Sequence, residues 1–293
     1  MRRNVTAGID GSAAAVAACE WAAREAELHG VSLRLLHAVA PLPGRATVTT
    51  PTDPAPRPRT AARVGPEAED RIRDEFPDLQ VVTDEIAARP VDALVSTAED
   101  TEMLVLGSHG AGAVSQTLLG SVGRGVAGRA TCPVVLVPED AGSAENSAGR
   151  STEGHTPSGD VVLGLDLDRT GDRAIGFAFD EAAARGGSLR VVHGRSGQNA
   201  GGRSGEGEGA DQQGAVRSED EFATQVESWR AKYPTVQVVS EAADGAADRH
   251  LAHAATSASL VVLGRGSRGG AGGLGTVAHA VLRSGAAPVA VVP

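Results

Sequence analysis

Three stretches of the chain carry residue types at spacings that suit chemistry. Gly8-Ile9-Asp10-Gly11-Ser12 ends one apolar run and opens an Ala-rich one, His37-Ala38 ends a second apolar run, and Met103 to Gly107 is followed by SHGAGAVSQTLLGSVGRG. The last stretch spaces Gly107, Gly110, Gly120 and Ser121 around a loop that enters a helix. Glycines let the backbone approach a ligand closely, and the unpaired N–H groups at a helix start face an anion, so this loop suits phosphate. Ser121 adds a hydroxyl donor. Asp10 is a poor neighbour for phosphate, but its carboxylate accepts hydrogen bonds from an adenine amino group or a ribose hydroxyl. A Gly-rich loop after a strand also serves as a plain flexible connection, and this element alone leaves both readings open.

Other chemistries are excluded or weak. Lys232 is the chain's lysine and stands in no Gly-rich context, which removes the P-loop and protein-kinase ATP sites that need one. No nucleophile elbow of a Ser-His-Asp enzyme is legible. His250 and His253 share one face of a predicted helix without a third ligand, so they read as a solvated pair rather than a metal site. Cys19 and Cys132 have no metal or CxxC spacing and are expected to be buried and inert. His37 and His193 recur at equivalent places, either lining the site or satisfying a strand end.

The elements that position these residues follow from an internal repeat. VTAGIDGS, an Ala-rich segment and VSLRLLHAV recur as VVLGLDLD, an Ala-rich segment and GSLRVVHG, with Asp10 and His37 matched by Asp166 and His193. EFPDLQVVTDE matches KYPTVQVVSEA, and GSVGRGVAGRATCPVVLVP matches GTVAHAVLRSGAAPVAVVP. Two copies, 1–138 and 159–293, therefore fill the chain, separated by residues 139–158, which contain no Val, Leu, Ile, Met or aromatic residue and read as a flexible linker. A Pro-rich stretch from Pro41 to Pro66 and a Gly-rich one from Arg195 to Gly214 follow the second strand of each copy and read as surface-loop insertions. In the first copy, strands are expected near 4–9, 31–39, 79–86, 101–107 and 133–138, with helices filling most gaps. Ser12 suits an N-cap and Gly30 a helix stop. Such alternation implies a parallel sheet with right-handed crossovers and helices on both faces.

Composition agrees. Aromatics are 2% of the chain, so the cores must be aliphatic, as in buried parallel sheets. A net charge of −10 opposes a nucleic-acid surface. The start MRRNVTAGID runs straight into a strand, and no apolar run approaches the ~18 residues of a membrane helix. The expectation is a cytoplasmic protein with neither nucleic acid nor membrane as partner.

The spacing Gly107-x2-Gly110-x9-Gly120-Ser121, with Asp10 closing the first strand, resembles the ATP-binding signature of the universal stress protein family. The resemblance implies a tandem member with two Rossmann-like, adenine nucleotide alpha hydrolase-like α/β domains. Each is a five-stranded parallel sheet of order 3-2-1-4-5 flanked by helices. It also implies that Ile9, Asp10 and Ala38 hold adenine and ribose. Gly107, His109, Gly110, Gly120, Ser121 and Val122 would hold ribose and phosphates of ATP, with Mg2+ or Mn2+ on the phosphates, and Gly8, Gly11, Ser12 and Leu106 are further nucleotide-binding positions. The matching set in copy two is Asp166, Gly264, Gly275 and Thr276. That copy departs from the pattern: its loop is two residues shorter, and Leu167-Asp168 replaces Gly11-Ser12. Arg265 and Arg268 would compensate in part as charge-assisted donors. The implied role is a nucleotide-dependent regulatory sensor in stress response rather than an enzyme. The alternative is a slow ATPase or phosphotransferase, for which Gln116 and Asp168 are faint candidates. If the order is 3-2-1-4-5, Val134 to Val137 and Val289 to Val292 are apolar edge strands, which points to pseudo-twofold packing of the copies and to a homodimer.

Overall fold

The computed structural model describes residues 4–40, 61–108, 120–139, 160–165, 171–194, 224, 226–243, 247–265 and 274–293. The linker beyond Glu139, the Gly-rich insertion and residues His109, Gly110, Gln116, Asp166, Leu167, Asp168 and Arg268 lie outside them. The chain divides into two units, Met1–Ser151 and Thr152–Pro293.

In the first unit, strands and helices alternate as β1 (Asn4–Ile9), α1 (Ala13–His29), β2 (Leu33–Ala38), α2 (Ala61–Glu75), β3 (Val81–Ile86), α3 (Pro90–Thr97), β4 (Thr101–Ser108), α4 (Ser121–Ala127) and β5 (Val134–Pro138). All pairings are parallel and the order is β3-β2-β1-β4-β5. Helix α1 packs on β1, β4 and β5 and α2 on β3 and β2, whereas α3 and α4 pack together beside β2, β4 and β5. The second unit runs β6 (Asp160–Leu165), α5 (Asp172–Ala184), β7 (Ser188–Gly194), β8 (Gln237–Ala243), α6 (Ala247–Ala254), β9 (Ala258–Gly264), α7 (Thr276–Ser284) and β10 (Val289–Val292). Its order is β8-β7-β6-β9-β10, again parallel, and residues 226–232 form a further helical stretch. Both units have the 3-2-1-4-5 order.

Local chemistry explains the boundaries. The Ser12 side chain accepts from the Ala15 N–H at 3.2 Å to start α1, and Gly30, at φ 62°, ends it in the left-handed conformation. Helix α5 starts instead from Gly171, which has no side chain to cap it. Apart from β3 and β8, which expose Val82 and Val239, the strands are runs rich in Val, Leu and Ala that are largely buried on both faces, so the core is aliphatic.

The two copies differ in how their first helix is covered. In the first unit, ion pairs join α1 to α2: Arg71 Nη1 to Glu20 Oε1 at 3.2 Å and Arg24 Nη2 to Glu75 Oε1 at 3.7 Å. In the second, the positions equivalent to Glu20 and Arg24 are Gly176 and Asp180. A Cβ on Gly176 would lie 2.7 Å from the outer edge of the Trp229 ring, so the glycine lets the indole approach the helix closely. Trp229 and Tyr233 flank Phe179 at 6.1 and 5.5 Å between ring centroids, and the Tyr233 hydroxyl donates to Asp180 at 2.5 Å.

One expectation needs correcting. The Pro-rich insertion does not extend to Pro66: α2 begins at Ala61 and carries Pro66 inside it. A helical proline gives up the hydrogen bond to the carbonyl four residues back, at a cost of about 3 kcal/mol. Packing on β3 offsets it, because Gly65 brings the helix so close that a Cβ there would lie 3.0 Å from the Thr83 methyl. Four strands also shift at their edges by one or two residues, to Leu33–Ala38, Val81–Ile86, Thr101–Ser108 and Val134–Pro138.

Candidate functional site

In the first unit β1 lies between β2 and β4, so the strand order reverses at β1 and the crevice opens beyond its carboxyl end. That end is a tight turn. Asp10 is exposed, and its Oδ1 accepts the Ser12 N–H at 2.9 Å. Gly11 stands at φ 83°, a left-handed conformation that a side chain would strain. The carboxylate therefore folds the turn with one oxygen and keeps acceptor capacity on the other for a ligand hydroxyl or amino group.

The neighbouring strand ends complete the rim. Ile9 is in register with His37 and Leu36 with Asp84, so Ala38 ends β2 one residue beyond β1's last pairing. His37 shares the face of Ile9, is buried, and has its Nδ1 4.0 Å from Glu85 Oε2 without a hydrogen bond. His193 is buried equivalently in the second unit. Both imidazoles are therefore largely covered from solvent.

On the other side, β4 ends at Gly107-Ser108, and the chain returns at Gly120 to begin α4. Gly120 is the N-cap, at φ −56° and ψ 158°, with no side-chain cap. Among the described residues a Cβ built on it meets nothing within 4 Å, and Ser121 beside it is exposed. The first N–H groups of α4 have no carbonyl behind them in the helix, so the helix start presents donors and a partial positive charge to this open space. In the second unit Gly275 caps α7 at φ −64° and ψ 162°, also with no described residue within 4 Å of a Cβ. The backbone entry into the helix is thus kept despite the shorter loop. Gly264 ends β9, where the following Arg265 N–H donates to Val292 O at 2.7 Å.

Several motif residues have packing roles that spacing did not reveal. A Cβ on Gly107 would lie 2.4 Å from the Ala14 carbonyl carbon and oxygen, so α1 rests directly on the β4 backbone. A Cβ on Gly8 would lie 2.5 Å from Leu106 and 3.3 Å from Leu94, and Gly164 in the second unit meets Leu263 and Leu251 in the same way. Leu106 is buried in that contact, which leaves only its backbone and that of Gly8 toward the crevice.

Sequence reasoning missed a cavity of about 300 Å3 beside the turn. Ile9, Gly11, Ala15, Val16 and Cys19 line one wall, and Val64, Glu67, Ala68 and Arg71 of α2 line the other. Cys19 is 3% exposed, and its thiol is pushed up to about 12 by burial first and then by the charges of Glu20 and Asp10, so it stays protonated and inert at neutral pH, as expected. Cys132 is buried too. His250 and His253 are exposed on α6. Among the described residues no helix is long and apolar enough to cross a membrane.

A family model described as the universal stress protein family matches residues 1–138 and 158–293. A universal stress protein of Mycobacterium tuberculosis strain H37Rv is 33% identical over 99% of this chain and 97% of its own length. A second from that strain is 30% identical over 98% and 95%. Among solved structures, a universal stress protein from Archaeoglobus fulgidus shares the fold at a TM-score of 0.61 and 18% identity, covering 99% of this chain and 97% of that one. Two repeats with the same strand order, the turn at Asp10 and full-length matches to tandem relatives lead to one conclusion: the chain belongs to the universal stress protein family.

Proposed function

We propose that the first unit binds ATP at the crevice beyond β1 and that the chain is a nucleotide-dependent regulatory module in stress response. The observation that supports this best is the open, glycine-led start of α4 across the strand-order reversal from Asp10. The space at Gly120 is one that a Cβ would fill, the α4 donors suit phosphate oxygens, and Asp10 keeps acceptor capacity for the nucleoside. In this reading the backbone at Ile9 and Ala38 and the Asp10 carboxylate hold adenine and ribose, while Gly107, His109, Gly110, Gly120, Ser121 and Val122 hold ribose and phosphates. Mg2+ or Mn2+ would neutralise the phosphate charge.

The second unit is proposed as the weaker site. Its helix start at Gly275-Thr276 matches that of α4, but the loop before it is shorter and its β6–α5 connection lacks the Gly-Ser pair. Mass spectrometry of the nucleotide that accompanies the purified protein tests the regulatory reading. Intact ATP, persisting on long incubation, is the expected result. Conversion to ADP would replace the sensor with a slow ATPase, and AMP or a flavin would replace both.

A further inference from the structure

We propose that the outer edge of β3 is a docking site for an extended, basic segment of a partner protein, which adds to the sheet as a further strand. In the first unit β3 ends the order β3-β2-β1-β4-β5, and among the described residues it pairs with β2 alone. The N–H and C=O of one strand residue point to the same side, and the side alternates along the chain. The Leu33 N–H donates to Gln80 O and the Val39 N–H to Ile86 O, each at 2.9 Å. The main-chain groups of Gln80, Val82, Asp84 and Ile86 therefore face β2, and those of Val81, Thr83 and Glu85 face outward. Such an edge is a template for a strand from another chain.

Side chains and charge set the occupant. Val82 is 46% exposed and Val239, its counterpart in β8, is 52% exposed; among the described residues these are the exposed large apolar side chains. In each strand a carboxylate, Asp84 or Glu241, follows two residues on and so lies on the same face. Residues 74–88 hold Asp74, Glu75, Asp78, Asp84 and Glu85 but neither Lys nor Arg. Arg24 lies 3.7 Å from Glu75 and Arg34 lies 2.6 Å from Asp84. These two pairs leave the edge acidic. A second copy of the chain would bring the same carboxylates to the contact. A partner strand with Arg or Lys at alternate positions around a β-branched residue instead matches both the charge and Val82. The stretch Gln80 to Asp84 shares no residue with the nucleotide crevice beyond β1.

The probe is a capped peptide of sequence TRVRVT, with capped TEVEVT as its acidic counterpart, each titrated into the full chain while hydrogen exchange at the Val81, Thr83 and Glu85 amides is followed. The expected result is saturable slowing at those amides with the basic peptide and none with the acidic one. Methylating every backbone nitrogen of the basic peptide keeps its charge, removes its donors and weakens binding by at least about tenfold. Val82→Lys, at an exposed position that leaves the fold intact, weakens it by a similar factor. No saturable slowing with the basic peptide, equal slowing with the acidic one, undiminished binding of the methylated peptide or to Val82→Lys, or a dimer of the free chain in sedimentation that Val82→Lys dissolves, would each overturn the proposal.

Discussion

Gly120→Val is expected to lower ATP affinity by at least about a hundredfold, equivalent to about 2.7 kcal/mol, while leaving the fold intact. Both halves follow from the same local geometry. The backbone at Gly120, φ −56° and ψ 158°, is extended and open to any residue, and among the described residues no atom lies within 4 Å of the place its Cβ would take. None of the described residues resists the new side chain. That same space is where phosphate oxygens would meet the N–H groups of α4, so an isopropyl group there keeps the anion out of hydrogen-bond range. The checks are a calorimetric titration for affinity and a denaturant unfolding curve for the fold. A variant that unfolds, or one that binds ATP as the parent does, removes the phosphate assignment.

Gly107→Ala carries the opposite expectation, although both glycines belong to one spacing motif. Its Cβ would lie 2.4 Å from Ala14 carbonyl atoms and 2.8 Å from the Ala15 nitrogen, all backbone within α1. No rotamer change relieves such a contact. The helix must lift from β4, giving up packing along the buried residues Ala14, Ala15 and Ala18. Overpacking of side chains costs about 1 to 3 kcal/mol, and a clash with backbone belongs at or above the top of that range. Urea unfolding should show a loss of about 3 kcal/mol or more. A loss below about 1 kcal/mol would mean that α1 does not rest on this strand as described.

The contrast between these glycines marks where the sequence was legible. The repeat defined both units because Asp10 and His37 recur as Asp166 and His193, and strand-helix alternation with aliphatic runs leaves few topologies. Ser12 and Gly30 were legible because capping is a local matter, decided within a few residues. The start of α2 was not. Pro66 and the Pro-rich stretch before it argue for an extended loop, and only the approach of Gly65 to Thr83 makes the helix worth forming there. Nor could spacing separate Gly107, whose Cβ would meet Ala14 far away in the chain, from Gly120, whose Cβ would meet no described residue. The cavity beside Gly11 was equally hidden, since it depends on Val64 and Ala68 of a helix the sequence obscured. The divergence of the two copies was half visible. Gly176 could be seen in place of Glu20, but not that Trp229 would lie on it.

Calorimetric titration of ATP into the unaltered full chain, in the presence of Mg2+, tests the central claim most directly. The Asp10 turn and the Gly120 helix start occur together in the first unit, whereas the second retains the helix start but not the Gly-Ser turn. The account predicts one tight nucleotide per chain, whereas no saturable heat, or two equally tight sites, would contradict it.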